Sequence, residues 1–387
     1  MKRFDQSPTD PEFVQNPYPT YAAVRAQDEF VWWDTYNAAC AMSYETVRLA
    51  LRDKRMGREQ PAELVQPIAD HMKPFYAIEA HSMLELEPPV HTRLRGQVLR
   101  AFTSRKIAEF EPQIAALSHQ LIDQFPDEPF DLLDAFAKPL PVIIISRLLG
   151  VPETDADQLL AWSNAMVAMY QAGRTREVED QASAAALAFT AYLRDVIAEK
   201  RKSPADDLIS TLIAATDSGE KLSEDELITT CILILNAGHE ATVHTIGNGT
   251  KTLLETGHRD ITDGCVEEIL RYDPPLHMFT RHVYEDVVLG GHQFKRGDQI
   301  ACMLGAANRD PAAYPDPDRF DPTRAVKQNT SFGGGIHFCV GAPLARLELK
   351  IGLGILFDRC PNLAIAAPPK YGNVYHFHGL EALMVSV

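Results

Sequence analysis

Residues 331–348, with the sequence SFGGGIHFCVGAPLARLE, constrain the fold of this chain more than any other stretch. Three consecutive glycines let the backbone turn sharply and approach a flat surface closely. Pro343, followed by apolar residues at helical spacing, predicts the start of a helix. Cys339 is therefore expected on a tight loop just before a helix N-terminus. Unpaired backbone N–H groups and the positive end of the helix dipole stabilise a thiolate there, so Cys339 is a candidate metal ligand or nucleophile.

Several roles are open to Cys339. An isolated cysteine after a turn is most often a buried structural residue. As a nucleophile, Cys339 would need a base, and His337 could serve, although the histidine partner of a catalytic thiol usually comes from distant sequence. A lone cysteine cannot hold zinc or an iron–sulfur cluster, and the chain has no C-x-x-C-H motif for covalent haem. One thiolate can, however, ligate haem iron by itself.

The residues around this cysteine resemble the haem-binding loop of the cytochrome P450 superfamily. The matching positions are Phe332, Gly333, Gly335, His337, Cys339 and Gly341. The resemblance implies haem b (iron protoporphyrin IX) with Cys339 as its iron ligand and with Phe332, His337 and Gly341 among its contacts. It also implies a mainly α fold, with a large helical lobe and a small β lobe. The haem would lie between a central oxygen-binding helix and the helix that follows the cysteine.

Further cationic positions resemble the groups that bind haem propionates in this family. His91 and Arg95 follow a Pro-Pro pair, and their spacing of four places them on one face of a predicted helix. Without the cysteine loop, His91 and Arg95 would be interpreted as a solvent-exposed pair of side chains with no function. Arg281, in a predicted strand over residues 280–287, resembles another propionate donor. Buried carboxylates need such cationic partners, so His91, Arg95, Arg281 and His337 are expected to anchor the haem.

A long apolar helix is predicted from the capping box of Ser223 and Glu226 to about Leu254. Within it, Gly238 costs about 1 kcal/mol relative to alanine and an uncompensated buried Glu240 costs several more, so both suggest a function. Residues 236–242, NAGHEAT, resemble the family's oxygen-binding helix, whose pattern is small-Gly-x-acid-Thr. The resemblance gives Glu240 a role in proton delivery and leaves His239 at the variable position.

The chain departs from the family pattern directly after this acid. The alcohol position is occupied by Ala241, and the hydroxyl follows one residue later at Thr242. One step along a helix turns a side chain by about 100°, so Thr242 is not expected to substitute directly. Oxygen activation assisted by a polar group of the substrate is the favoured hypothesis, with a rearrangement of Thr242 and Glu240 as the alternative. A second departure is the short connection over residues 250–264.

Glu268 and Arg271 lie three residues apart on another predicted helix. An isolated pair of this kind on the surface would contribute little to stability. In the resembling family the same spacing marks a buried structural pair behind the haem, and the pair is assigned to the fold rather than to the chemistry. At the other end of the chain, residues 371–387 predict a terminal hairpin, with Val374, Tyr375, His376 and Phe377 expected to line the substrate pocket.

Composition limits the possible partners and compartment. The 387 residues, with 45% hydrophobic residues and no linker-like segment, predict one domain over residues 1–387. A net charge of −16 argues against nucleic acid or an anionic membrane as partner. The six cysteines have no paired spacing, so reduced thiols are expected, five of them as core residues. With neither an apolar N-terminal segment nor a run of about 18 apolar residues, a soluble cytoplasmic protein is predicted.

The resemblance implies a monooxygenase that inserts one oxygen atom from O2 into a small organic substrate. Two electrons would arrive singly from a ferredoxin or flavodoxin, and basic residues could dock such an acidic carrier, although clusters of this kind are usually solvated helix faces. These residues are Arg93, Arg95, Arg100, Arg105, Lys106, Arg346 and Lys350. One alternative is a peroxide-driven haem-thiolate peroxygenase, which would turn over with hydrogen peroxide at least as fast. A haem sensor would need neither an open iron site nor an acidic helix groove.

Overall fold

The structure is a computed structural model that describes residues 1–171, 174–217, 222–325, 327–375 and 377–387. Its α-helices are α1 (Pro11–Gln15), α2 (Tyr18–Arg25), α3 (Tyr44–Arg52), α4 (Lys73–Glu79), α5 (Val90–Ala101), α6 (Ser104–Ala108), α7 (Glu111–Ile122), α8 (Pro139–Leu149), α9 (Ala156–Val167), α10 (Arg176–Lys202), α11 (Leu208–Asp217), α12 (Glu224–Thr256), α13 (Asp263–Tyr272), α14 (Leu304–Asn308) and α15 (Ala342–Arg359). A π-helical turn, Leu133–Ala137, precedes α8.

The strands are short and form a smaller β lobe. They are β1 (Lys2–Phe4), β2 (Phe30–Trp33), β3 (Ala38–Ala41), β4 (Met56–Gly57), β5 (Phe130–Asp131), β6 (Met278–Val283), β7 (Val287–Leu289), β8 (His292–Phe294), β9 (Gln299–Met303), β10 (Ala364–Ile365), β11 (Lys370–Tyr371), β12 (Leu380–Ala382) and β13 (Met384–Ser386). The largest sheet has the order β1-β2-β3-β9-β6-β4. β2 and β3 form an antiparallel hairpin, with Phe30 opposite Ala41.

The central helix α12 packs against α8, α9, α13 and α15, which makes it the axis of the helical lobe. Its start is the predicted capping box, in which the Ser223 hydroxyl accepts a hydrogen bond from the N–H of Glu226 and the Glu226 side chain accepts one from the N–H of Ser223. It ends at Gly257, which has a left-handed φ of +72°. The Thr262 hydroxyl then caps α13. The short connection predicted from the sequence therefore consists of the end of α12 at Gly257 and the start of α13 six residues later.

The segment over residues 58–85 contains more regular structure than its prolines suggest. A long loop with little regular structure is predicted there, but the structure has α4 and two short 3-10 helices. Pro74 lies in the first turn of α4. Backbone N–H groups in the first turn have no acceptor within the helix, so the missing N–H of proline costs no hydrogen bond there. Phe75 and Ile78 of α4 are buried, and α4 packs against α10. Burial of this apolar face therefore stabilises a helix that local sequence signals do not predict.

The C-terminal segment differs from a simple hairpin. β11 pairs with β12, whereas β13 pairs with β10 and β5. Tyr375, predicted to line the pocket, instead stacks on Phe13 at a centroid distance of 5.6 Å, and its hydroxyl lies 2.8 Å from that of Tyr21. That expectation is therefore wrong, because the ring completes an aromatic cluster near the N-terminus. His376 lies outside the described residues. No helix in the described part of the chain has the length and apolar character needed to cross a bilayer.

Candidate active site

The loop before α15 turns through two glycines in the left-handed region of backbone space. Gly333 has a φ of +70° and Gly335 a φ of +69°, which residues with a side chain rarely adopt. A Cβ on Gly335 would also collide with the backbone of Leu51. The turn brings the N–H of Cys339 to 3.0 Å from the carbonyl oxygen of Phe332. Cys339 is thereby fixed just before the N-terminus of α15, where the sequence predicts it.

The thiol of Cys339 is enclosed by protein and yet accessible. Its side chain is exposed, whereas the other five cysteines are buried, as predicted. Protein atoms surround it closely enough that desolvation raises the pKa of the thiol, although the N–H groups of Gly341 and Ala342 and the charge of Arg95 lower it. Its exposure is therefore to an internal space. The N–H groups at the helix N-terminus stabilise the thiolate as expected, but desolvation outweighs them and the pKa of the free thiol is raised.

The central helix presents one accessible stripe inside the protein. Around its middle, α12 is buried at Leu235, His239, Thr242 and Val243. It is accessible at Ala237, Glu240, Ala241 and His244. These four positions have the i, i+3, i+4, i+7 spacing of one helix face, and they are called the accessible stripe below. Because α12 packs against α15, the accessible stripe lies on a helix that contacts the helix following Cys339.

Two imidazole rings flank the carboxylate of Glu240. His244 Nε2 lies 3.1 Å from Glu240 Oε1, and His239 Nε2 lies 3.3 Å from Oε2. Burial acts to raise the pKa of Glu240, but the interactions with His239 and His244 together bring it well below its usual range. The group is therefore a carboxylate at neutral pH. His239, which the sequence pattern treats as a variable position, is part of this cluster.

Thr242 lies off the accessible stripe. Its side chain is 5% exposed, and its hydroxyl donates to the carbonyl oxygen of Gly238 at 3.2 Å. Ala241, which occupies the stripe beside Glu240, has no hydroxyl group. The rotation of about 100° per residue thus separates the two positions as expected.

Side chains from three segments meet beside the cysteine loop. The rings of His91 and His337 lie 4.4 Å apart, and His337 Nε2 is 2.9 Å from Glu87 Oε1. Arg95 donates to the carbonyl oxygen of Phe338. Arg281 donates to its neighbour's carbonyl oxygen at 2.8 Å and interacts electrostatically with Glu87. The structure thus places His91, His337 and Arg281 around Glu87 and Arg95 beside the cysteine loop.

This cluster has more buried cationic and donor groups than anionic partners. Neither ring nitrogen of His91 has a hydrogen-bond partner among the described residues, although both atoms are buried. Burial, together with nearby His337 and Arg95, lowers the pKa of His91 to about 4. Burial also lowers the pKa of Arg281, which is 3% exposed. Such a set fits a ligand that brings carboxylates, since buried charges require partners.

The two remaining predicted contacts flank the cysteine. The guanidinium of Arg346 lies 4.6 Å from the centre of the Phe332 ring, which is a cation–π distance. A Cβ on Gly341 would lie 3.9 Å from the Cys339 sulfur. Gly341 therefore lies beside the thiol, and Phe332 adjoins it through the backbone hydrogen bond to Cys339.

Glu268 and Arg271 form a buried bidentate ion pair. Arg271 Nε and Nη2 each lie 2.7 Å from a Glu268 carboxylate oxygen, and the two side chains are 4% or less exposed. Arg271 also donates to the carbonyl oxygens of Asn308, Pro317 and Arg319. The reading as an exposed surface pair is therefore excluded, and the structural assignment is confirmed. The pair fixes α13 to the segment that leads to the cysteine loop.

Sequence reasoning missed two residues of the site. His244 follows Glu240 by four residues on the same helix, and this spacing alone could have indicated contact. Glu87, the partner of His337, is 250 positions away from it in sequence, and no local pattern indicates that pair.

Comparison with known proteins identifies the family. The family model for cytochrome P450 matches residues 247–362. The chain is 38% identical to cytochrome P450 107B1 of Saccharopolyspora erythraea, over 97% of this chain and 96% of that relative. The chain belongs to the cytochrome P450 family. It is also 39% identical to a vitamin D(3) 25-hydroxylase of Pseudonocardia autotrophica, over 92% of this chain and 89% of the relative.

The fold agrees with solved P450 structures. The crystal structure of P450BioI in complex with hexadec-9Z-enoic acid ligated acyl carrier protein has a TM-score of 0.91 and 33% sequence identity, and the match covers 97% of this chain and 99% of that one. The structure of the P450 PksS of Bacillus subtilis 168 has a TM-score of 0.88 at 34% identity and covers 98% and 99%. The expected P450 fold, with a large helical lobe and a small β lobe, is thus confirmed.

This P450 is a haem-dependent monooxygenase that acts on an organic substrate with electrons from a redox partner. The residues present fit the haem, because an enclosed yet accessible thiol lies beside buried donors that lack anionic partners. Bound haem supplies the iron at which dioxygen is activated.

Replacing Arg281 with alanine is expected to weaken haem retention. Loss of one partner of a buried charge pair typically costs about 3–5 kcal/mol, and Arg281 is buried with one backbone hydrogen bond. The haem-to-protein ratio after purification and the rate of haem transfer to apomyoglobin measure the effect. Arg296→Ala is the matched control, since Arg296 is half exposed and pairs with Glu63. Unchanged haem occupancy and transfer rate in Arg281→Ala would remove Arg281 from the propionate ligands.

Proposed function

We propose that this P450 is a cytoplasmic haem b monooxygenase supplied with single electrons by a ferredoxin or flavodoxin. The observation that carries the proposal is the enclosed, accessible thiol of Cys339, which lies on the loop directly before α15, a helix that packs against α12. All six cysteines lie in the described residues and are free, which supports a reducing compartment. The largest of the three buried apolar clusters in the described residues includes both Val14 and Val385, from near the two ends of the chain, which supports a single domain over residues 1–387.

The site residues divide into three roles in this proposal. Cys339 is the axial ligand, with Phe332 and Gly341 beside it. His91, Arg95, Arg281 and His337 bind the propionates. Glu240 delivers protons from the accessible stripe.

Basic groups beside the cysteine loop support the proposal that the electron carrier is an acidic protein. A small depression next to Gly333 and Gly334 is lined in part by Arg48 and Arg52. Arg346 and Lys350 lie farther along α15, but each pairs with an acidic residue of α13. Arg48 and Arg52 are therefore the stronger candidates for contact with the carrier, since the overall charge of −16 would otherwise repel an acidic protein.

The side chains of the accessible stripe support oxygen activation that is assisted by a polar group of the substrate. Ala241 can neither donate nor accept a hydrogen bond through its side chain. The Thr242 hydroxyl donates its proton to the Gly238 carbonyl oxygen, and its side chain is buried off the accessible stripe, so that proton is not available to a water molecule beside Glu240. A hydroxyl, carboxyl or carbonyl group of the substrate would take that place. The substrate is then a molecule with a polar group near the carbon that is oxidised.

Coupling of NAD(P)H consumption to product is expected to depend on that substrate group. Substrates are first found by the Soret shift that accompanies displacement of the water ligand of haem. In turnover with ferredoxin and its reductase, the native substrate should be tightly coupled. An analogue without the polar group should release peroxide, because no group then holds the water. Thr242→Ala should barely change coupling, and Ala241→Thr should restore coupling with the stripped analogue.

Two results would contradict this proposal. If Thr242→Ala releases peroxide while the stripped analogue stays coupled, the protein itself holds the water. If hydrogen peroxide alone drives turnover at least as fast as ferredoxin, the enzyme is the peroxide-driven alternative.

A further inference from the structure

The hydrogen bonds of His239 fix which of its ring nitrogens carries a proton. The ring is fully buried, and Nδ1 lies 2.9 Å from the carbonyl oxygen of Leu235. A carbonyl oxygen only accepts, so Nδ1 must be the N–H donor. In a neutral imidazole, Nε2 would then carry a lone pair.

That lone pair would face a carboxylate. His239 Nε2 lies 3.3 Å from Glu240 Oε2 and has no well-oriented hydrogen-bond partner in the described parts of the chain. Two electron-rich atoms at this distance repel each other, and the repulsion is strong where water is excluded. A proton on Nε2 turns the repulsion into an attraction between opposite charges.

His244 holds the other carboxylate oxygen. Its Nε2 lies 3.1 Å from Glu240 Oε1, so Nε2 must donate. The ring packs against Gly379, where a Cβ would overlap it, and lies 6.0 Å from the ring of Phe377. Nδ1 is buried without a partner among the described residues, which suits the neutral tautomer. His244 thus orients the carboxylate along the accessible stripe.

We propose that His239 stores a proton for oxygen activation, that Glu240 transfers it, and that His244 is the positioning residue for Glu240. Monooxygenation consumes one O2, two electrons and two protons and gives the oxidised substrate and one water. One of the two protons leaves His239 Nε2, passes through Glu240 Oε2 and ends in that water. A proton from solvent then restores the imidazolium. The inference rests on the proposed role of Glu240 and deepens it.

The protonation state can be measured without turnover. In the haem-loaded, reduced and CO-bound protein, the 15N NMR signals of the histidine rings distinguish protonated from unprotonated nitrogen. His239, assigned by loss of its signals in His239→Asn, should show both nitrogens protonated at pH 7. His244 should show the Nε2–H tautomer. An unprotonated Nε2 in His239 would overturn the proposal.

Turnover of variants tests the transfer itself. His239→Asn retains a side chain that can donate to the Leu235 carbonyl oxygen but cannot store a proton. The solvent deuterium isotope effect and the fraction of NAD(P)H recovered as peroxide should both rise several-fold. His244→Asn retains an N–H donor for Glu240, so its isotope effect and peroxide fraction should stay near those of the parent enzyme. His244→Leu has no such donor and should raise both values as His239→Asn does. His258→Asn, at a histidine that contacts the Asp260 carbonyl oxygen beyond the end of α12, is the control.

The outcomes separate this inference from the function it rests on. If Glu240→Gln stays coupled, the proposed role of Glu240 fails, whatever the NMR shows. If Glu240→Gln releases peroxide but His239→Asn does not, Glu240 keeps its role and the proton store is wrong. A loss of coupling in His244→Asn equal to that in His244→Leu would show that His244 does more than donate a hydrogen bond, and would overturn its role as a positioning residue.

Discussion

Replacing Cys339 with histidine is expected to abolish monooxygenation while part of the haem stays bound. A thiolate pushes electron density toward the bound oxygen and favours cleavage of the O–O bond, whereas a neutral imidazole does so far less. The ferrous carbonyl complex should therefore lose the red-shifted Soret band that a thiolate ligand gives. Because Cys339 is the one exposed cysteine of the six, the structure offers no second thiol in an equivalent place.

The matched control for this variant is Cys360→Ala. Cys360 is a buried thiol directly after the C-terminal end of α15, and its loss should leave the Soret band of the carbonyl complex unchanged. Survival of the red-shifted band in Cys339→His would show that another group ligates the iron.

Replacing Glu268 with alanine is expected to yield little folded protein. The change leaves the Arg271 guanidinium buried without its anion, and breaking such a pair costs about 3–5 kcal/mol. That is a large part of the about 5–15 kcal/mol by which typical proteins are stable. Arg324 and the N–H of Asp321 also lose the carboxylate to which they donate. Urea unfolding followed by circular dichroism measures the loss.

Glu267→Ala tests whether burial of the Glu268–Arg271 pair is the reason for the loss of stability in Glu268→Ala. Glu267 is the neighbouring residue and pairs with Arg346, but both side chains are partly exposed. An ion pair in that setting contributes about 1 kcal/mol or less. An unfolding midpoint for Glu268→Ala equal to that of Glu267→Ala would contradict a structural role for the buried pair.

The sequence by itself predicts the parts of the fold that depend on near neighbours. The capping box of Ser223 and Glu226 begins α12, and Pro343 lies in the first turn of α15. The glycines before Cys339 indicate its tight loop, and Gly333 and Gly335 adopt the positive φ that this loop needs. The spacing of His91 and Arg95 places them on one helix face. Such features follow from backbone hydrogen bonds and helix geometry within a few residues.

Only the tertiary structure decides which groups are enclosed and which distant groups meet. The pKa of Cys339 is raised rather than lowered because packing around the loop removes solvent, and no local pattern encodes that packing. The contact of His337 with Glu87 spans 250 positions. Tyr375 packs against Phe13 instead of the pocket. On α12, the packing of neighbouring helices selects the face with Glu240 and Ala241 as accessible and buries Thr242, because burial is a property of all the surrounding elements together.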